Sequence, residues 1–469
     1  MLSYELNPQE LQDHGYVSKK GKVNTFKVAT RLIGGITENP SYSFLTIPLG
    51  KDDMLYVYKK GVYILGEPLV RKETQRFLNE ACSNHIVSEI VGHIKRMPPH
   101  AMRIQIDDDP DWINLKNTWL NVRTLELRKH DPAYWSFVQL PVNYDPQADC
   151  PIFQEVVKDW VQSEHIQLLQ EMFGFCLWKN YKYRKAFILL GEGHNGKSTL
   201  LDILKELIGE ENCSHTGIQE LERDRFSIAR LAGKMVNSVT ELPAKRLRKS
   251  DRFKSLTGND TLDGSLKNIQ EPIRFKNYAK LIFACNTLPA ADDDTDAFHE
   301  RFIIVPFIQQ FIEGFNADLD LPEKLLNELP GILNWSLKGL EQLLINRRFS
   351  EEELTIDQKR DRYHKLAEPT EAFAEVWVEE VDIGCLYIRE AFRAHLIFCK
   401  DKGYPPEGRN VFYEKMRIVL GVVDIKDATG DRAKYWRGVQ LTEEAKARIR
   451  LEEYKKEVHP EQVQGILEE

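Results

Sequence analysis

The sequence has few cysteines, and none of them in metal-binding order. Cys82, Cys150, Cys176, Cys213, Cys285, Cys385 and Cys399 are scattered and form no C-x-x-C pair, which argues against a zinc site. An odd, unclustered set fits reduced thiols in a cytosol-like compartment. Long apolar runs are missing too: none approaches the ~20 residues that a membrane span needs. The first ten residues, MLSYELNPQE, hold no apolar signal core. The expectation is a soluble, cytoplasmic protein with no membrane partner. Internal repeats and low-complexity tracts are absent. So is an excess of positive charge: 64 Lys and Arg face 72 Asp and Glu, a net charge of −8. A nucleic-acid protein is often basic overall, so such contacts here would need a local positive surface.

What is present is enough apolar material for real cores, 42% of 469 residues. At roughly 100–200 residues per domain, that length suggests about three domains. Residues 1–110 form an α/β region, in which Met54–Leu65 predicts a hairpin with a Lys-Gly turn and Glu73–Lys95 predicts a helix. Residues 111–180 hold short strands and then helical spacing from Phe153 to Trp178. Four short apolar runs follow: Ala186–Leu190, Lys234–Val239, Lys280–Cys285 and Phe302–Phe307. Such runs suit strands buried on both faces of a parallel sheet, and helical segments between the first three make an α/β pattern. This core is expected over 181–345. A helical connector (346–368), a compact module (369–450) and a charged tail (451–469) complete the chain.

Gly191–Thr199 reads GEGHNGKST and fits G-x-x-x-x-G-K-[ST]. A buried run ends at Leu190, and an amphipathic helix is expected from Ser198 to Ile208. In that setting the pattern is a P-loop, whose backbone N–H groups turn around phosphate oxygens at a helix N-terminus. Gly191, Gly193, His194, Asn195, Gly196, Lys197, Ser198 and Thr199 form the candidate ATP site. Lys197 would reach the β- and γ-phosphates, and Ser198 would complete a Mg²⁺ shell.

The neighbouring strand ends carry polar residues. Glu241 closes the second run and is the candidate for polarising the attacking water and supporting the metal. Asn286 ends the third run and is placed to sense the γ-phosphate, although Asn is also a common turn residue. Arg301 precedes the fourth run. It is the candidate for an arginine donated to a neighbouring subunit's γ-phosphate, with Arg225 and Arg230 as weaker ones. An ordinary surface ion pair is its plainer role.

The order GEGHNGKST, VTELP, KSLTGNDTLDGSLKNIQEPIRFKNYAKLIFACNTLP and FHERFIIVPF resembles a superfamily-3 helicase of the poxvirus, phage or plasmid primase-helicase type. The upstream stretches NTWLNVRTLELRKHDPAYWSFVQLPVNYDPQADCPIF and HIQLLQEMFGFCLW are similar to the domain that precedes the ATPase in that group. Thr370–Leu441 is similar to its winged-helix module. The likeness is expected from about residue 110 to 445, with no named likeness before it. It implies an AAA+-like ATPase core, a homo-hexameric ring tracking single-stranded DNA, 3′ to 5′ polarity, and a primase or polymerase domain or protein as partner. Two departures stand out. Thr240 occupies the place of a common second acid, and His-Glu-Arg stands where paired arginines are frequent.

Tracking a single strand needs positive charge along its path. The stretch Ala244–Lys254 offers Lys245, Arg246, Arg248 and Lys249, and is equally readable as a solvated charged helix. By resemblance, Lys267 and Asn268 lie near the tip of a pore hairpin. Gly408–Leu420 is a candidate recognition helix, with Arg409, Lys415 and Arg417 (and Arg432 and Lys434 of a following wing) as phosphate contacts; a protein partner is the other reading. Tyr435 and Trp436 are expected in the core.

Three further readings compete. A P-loop enzyme acting on small molecules would need an acceptor pocket by the loop. An ATP-switched DNA-binding or packaging protein would not unwind. A primase would need carboxylates paired for two metals; Asp107, Asp108, Asp109 and Asp111 are dense enough, but beside a proline they read as a solvated turn.

Overall fold

The computed structural model describes residues 6–37, 43–48, 53–97, 106–191, 193–243, 247, 250–265, 267, 272–289, 291–307, 309–312, 317–350, 354–402, 404, 406–426 and 433–458. Near the N-terminus, β1 (Phe44–Ile47), β2 (Met54–Lys59) and β3 (Val62–Leu65) form an antiparallel sheet. The expected turn is there: Lys60 (φ 50°) and Gly61 (φ 93°) both take left-handed backbone, which suits a tight hairpin. The single helix expected over Glu73–Lys95 is two, Glu67–Leu78 and Asn84–Lys95. Asn79 (φ 47°) breaks the run, and the Ser83 side chain accepts from the Ile86 amide at 3.4 Å to start the second helix. Val28, Leu32, Val57, Val70, Ile90 and Ile94 close this core.

A second small sheet holds β4 (Trp112–Asn114), β5 (Trp119–Asn121) and β6 (Leu127–Arg128). Two helices follow, Pro151–Trp160 and Ser163–Leu177. The central sheet then forms from β7 (Ala186–Leu190), β8 (Cys213–Ser214), β9 (Val236–Val239), β12 (Lys280–Cys285) and β13 (Phe302–Pro306). Its order is β13-β7-β12-β9-β8, and every pairing is parallel. Between β9 and β12 lies a separate hairpin of β10 (Thr261–Gly264) and β11 (Ile273–Lys276).

Alternation along the sheet explains why these runs are mostly apolar. Phe187, Leu189, Ile282, Ala284, Ile303 and Val305 face one core, which also holds side chains from the Pro151–Trp160, Ser163–Leu177, Lys197–Ile208 and Leu329–Asn346 helices. Ala186, Ile188, Leu190, Leu281, Phe283 and Ile304 face another, with Leu221, Phe253 and Tyr363. With core on both faces, a polar side chain in a strand must be buried and hydrogen-bonded, as Asn237 is to Thr216 and Lys280 to the Trp178 and Tyr278 carbonyls. The expected division at residue 180 falls inside the first core, which runs from Ile113 to Phe349. Two helices of that core touch backbone to backbone. A Cβ on Gly174 would lie 2.3 Å from the Leu340 nitrogen, and one on Gly339 would lie 2.0 Å from the Gln170 oxygen.

The C-terminal module packs the Pro369–Trp377, Ile388–Lys402 and Arg409–Leu420 helices on β14 (Val378–Tyr387), β15 (Ile425–Lys426) and β16 (Lys434–Leu441), in the order β14-β16-β15. Phe373, Trp377, Phe398, Phe412 and Trp436 fill its core. Trp436 is therefore a core residue, and Tyr435 is half-buried with its ring 6.0 Å from that of Tyr387.

Candidate functional site

The Gly191–Lys197 loop leaves the carboxyl end of β7 and enters the Lys197–Ile208 helix. Its first glycine is enclosed: the Gly191 amide donates to the Cys285 carbonyl at 3.1 Å, and a Cβ there would lie 2.3 Å from both Asn195 Nδ2 and the Phe307 oxygen. Gly196 has φ 89°, and a Cβ on it would lie 2.3 Å from Trp160 Nε1. Only glycine meets both demands. His194 is also left-handed, at φ 59°.

Asn195 is buried, and its amide ties the loop together. Its Nδ2 donates to the Phe307 carbonyl at 3.3 Å, and its Oδ1 accepts from Lys197 Nζ at 2.9 Å. Lys197 is 6% exposed and also donates to the Gly191 carbonyl at 2.5 Å. No side chain caps the start of the helix, so its first-turn N–H groups remain for an anion. Gly193, His194 and Ser198 are exposed, and Thr199 is half-buried.

The two polar strand ends emerge beside this loop. Leu190 pairs with Cys285 across β7 and β12, so Asn286 leaves the sheet next to Gly191. The Leu242 amide donates to the Ala284 carbonyl at 2.7 Å, which brings Glu241 to the same edge. Both side chains are exposed. Arg301 is elsewhere, before the first residue of β13. Its Nε donates to Thr257 Oγ1 at 2.9 Å, and its Nη1 bonds the Ala297 carbonyl. The Lys254–Asp260 segment thus holds the arginine directly.

Sequence reasoning missed three partners of the loop. Trp160 backs Gly196, Phe307 receives Asn195, and the C-terminal module closes one side. A cleft of about 650 Å³ is lined by Gly193, His194 and Asn286 together with Glu407, Gly408 and Lys415. Only the fold joins segments so far apart, and no local signal marks them.

The expected DNA contacts fare differently. Lys267 is exposed in the turn between β10 and β11. Asn268, Lys245, Arg246, Arg248, Lys249 and Arg432 lie outside the described residues. Arg409 opens its helix, exposed, with its guanidinium 5.5 Å from the Phe392 ring centre. Lys415 instead bonds Glu368 and sits 2.7 Å from Glu407. Arg417 and Lys434 both pair with Asp424, at 3.0 and 3.1 Å. The outward face of that helix carries Val411 and Ile418.

The aspartate run splits in two. Asp107 is buried at φ 56° and Asp111 accepts from Trp178 Nε1 at 2.8 Å, whereas Asp108 and Asp109 are exposed. The solvated-turn expectation therefore holds for the middle pair only. Among the described residues, one group brings three possible metal ligands within 4.8 Å: Asp294, His299 and His364. Arg360 Nε lies 3.5 Å from the same Asp294 oxygen that both histidines approach. A guanidinium there competes with a metal, so the group reads as an ion-pair network joining the loop before β13 to the Ile356–Ala367 helix. No described helix is long and apolar enough to cross a membrane.

Comparison with known proteins separates two stretches. Residues 45–162 match the family described as D5 N terminal like. Residues 189–301, from the glycine loop to Arg301, match a family of unknown function, DUF5906. A protein of Acanthamoeba polyphaga mimivirus named as a helicase, L207/L206, is 29% identical over 186 residues. The chain resembles viral primase-helicases. The likeness starts at residue 45, earlier than the limit near 110 expected from the sequence. The match covers 35% of this chain and 19% of the mimivirus relative, so the chain spans about a fifth of that protein's length. Two solved apo structures of the NrS-1 C-terminal region are also similar. One is 16% identical with a TM-score of 0.46, covering 90% of this chain and 100% of that one. The other, the A form, is 15% identical with a TM-score of 0.46, covering 89% and 98%.

Proposed function

We propose that the chain is the ATP-driven DNA helicase part of a viral or plasmid primase-helicase. The observation that carries this reading is the Gly191–Lys197 loop: a strand buried on both faces, a loop strained at Gly196, and an uncapped helix start, with Glu241 and Asn286 leaving the adjoining strand ends. Ligands of open α/β sheets bind outside the carboxyl ends of the strands, and a phosphate loop is the usual occupant of this geometry.

In this reading the core is a P-loop ATPase, preceded by the D5-like region and followed by a winged-helix module. The amides of Gly193–Thr199 hold the ATP phosphates, and Lys197 reaches the β- and γ-oxygens. The residues present fit Mg²⁺, with the exposed Ser198 hydroxyl and the Glu241 carboxylate as oxygen donors. The ion, when bound, neutralises charge that develops on the phosphates. Glu241 accepts a hydrogen bond from the attacking water and turns its lone pair towards phosphorus. Asn286 fixes the γ-phosphate side. Arg301 comes from the next subunit of a homo-hexameric ring. Lys267, at the β10–β11 turn, holds one backbone phosphate of single-stranded DNA, and Asn268 lies beside it. Movement is 3′ to 5′, and a primase or polymerase is the partner.

Steady-state ATP turnover, measured with and without single-stranded DNA on wild type, Lys197→Ala and Lys267→Ala, tests this. DNA should stimulate wild type, Lys197→Ala should abolish turnover, and Lys267→Ala should keep basal turnover and lose the stimulation. A competent ATPase indifferent to DNA would overturn the helicase reading and leave a small-molecule acceptor or a non-unwinding switch.

A further inference from the structure

A second hollow lies outside the ATPase core, within the D5-like region, and none of the machinery above uses it. Its volume is about 370 Å³, and Trp112, Trp119, Tyr134 and Trp135 line it with Asp108 and Asp109. That volume is in the range of small-ligand sites, which join apolar walls to a few polar groups.

The walls are firmly built. The Asp107 amide donates to the Trp135 carbonyl at 3.0 Å. Its carboxylate accepts from the Phe137 amide at 3.0 Å and from the Ser136 hydroxyl, and pairs with buried Lys179 at 3.5 Å. Asp111 is held by Trp178 and by Arg123 at 3.3 Å. These two aspartates stitch the acidic turn to the aromatic wall. Trp119 and Tyr134 meet edge to face, with centres 5.5 Å apart. Tyr134 and Trp135 stay half-exposed.

Charge then selects the guest. Lys179 is matched by Asp107, and Arg128 lies 3.9 Å from Glu126. Among the described residues, Asp108 and Asp109 have no ion-pair partner, and Asp107, Asp108 and Asp109 against Lys179 and Arg128 leave the lining a net charge of −1. Electron-rich ring faces beside carboxylates favour an organic cation, and a phosphodiester would meet repulsion. The Arg128 guanidinium already covers the Trp112 ring, 3.6 Å from its centre, which leaves the half-exposed Tyr134 and Trp135 rings for a guest.

We propose that this hollow binds a guanidinium or alkylammonium group, with Asp108 and Asp109 neutralising it and Tyr134 and Trp135 covering it. The group arrives on a basic segment of a partner protein or as a free small cation. The site does not depend on the ATPase reading.

Calorimetric titration of the full chain tests it, using arginine amide, a tetra-arginine peptide, a tetra-glutamate peptide and a twelve-residue oligothymidylate. Saturable binding of one or both arginine probes is expected, and no binding of tetra-glutamate. A peptide bound more tightly than the amide indicates a protein segment; equal affinity indicates a small cation. Asp108→Asn with Asp109→Asn, and separately Tyr134→Phe and Tyr134→Ala, distinguish a built site from surface charge. The double Asn variant and Tyr134→Ala should each weaken arginine binding about fivefold or more, while Tyr134→Phe keeps it. Thermal unfolding shows that each variant is folded, and ATP turnover should not change. Absence of saturable arginine binding overturns the proposal. So does oligothymidylate binding that Tyr134→Ala abolishes, because the hollow would then be a base-stacking site.

Discussion

Lys197 and Arg301 stand at opposite ends of the same pair of parallel strands. Ala186 pairs with Phe302 and Leu190 with Pro306, so Lys197 follows the carboxyl ends and Arg301 precedes the amino ends. Five residues of parallel strand span about 17 Å. Arg301 therefore does not serve the loop of its own chain.

If the arginine acts across a subunit interface, two inactive variants should complement. Lys197→Ala and Arg301→Ala should each lose turnover by about 10³-fold or more. An equimolar mixture should recover a measurable part, because some interfaces then pair an intact loop with an intact arginine. A mixture as inactive as its parents, with nucleotide binding and thermal stability kept in Arg301→Ala, would remove Arg301 from the reaction.

Gly196→Ala should damage stability as well as activity. The positive φ alone costs about 1–3 kcal/mol for a residue with a side chain, and the new methyl meets Trp160. The melting temperature should fall. Adding Trp160→Leu should restore part of the loss, since it relieves the collision but not the backbone strain.

Lys280 gives the chain a pH dependence. It is fully buried, donates to the Trp178 and Tyr278 carbonyls at 2.7 and 2.6 Å, and lies 4.4 Å from the Phe175 ring centre. Burial pushes its pKa down to about 7. An unfolded lysine keeps its proton to about 10.4, so between these values the unfolded chain binds more protons and stability rises with pH. The urea midpoint of wild type should climb from pH 7 to 9 relative to Lys280→Met. Parallel curves would show that Lys280 stays charged in the fold.

Lys415 separates a structural from a DNA-binding role. Lys415→Met leaves the enclosed Glu407 without its ammonium. The pair is partly solvated, so a loss of about 1–2 kcal/mol is expected, seen as a lower melting temperature. DNA affinity at fixed salt should change little; a large fall with unchanged stability would return Lys415 to the phosphate contacts.

Legibility followed burial. Ala186–Leu190 and Lys280–Cys285 have the same bounds in sequence and structure, because burial on both faces writes an unbroken apolar run. The glycine loop was legible because its backbone geometry admits few residues. The break at Asn79 was not, since apolar spacing continues on both sides of it. Trp160 beneath Gly196, and Glu407 lining the same cleft as His194, were illegible for another reason: their meaning comes from long-range packing. Asp107 shows the same limit, being written like its solvated neighbours and buried by a lysine that stands far along the chain.

The close packing of Gly174 on Leu340, and of Gly339 on Gln170, has one more consequence. The helix before the sheet and the helix after it lie side by side, so the polypeptide goes in and comes out through a single doorway. A segment of that kind is portable. It can be set between other sequences, or reconnected with new ends, without any strand having to thread past another.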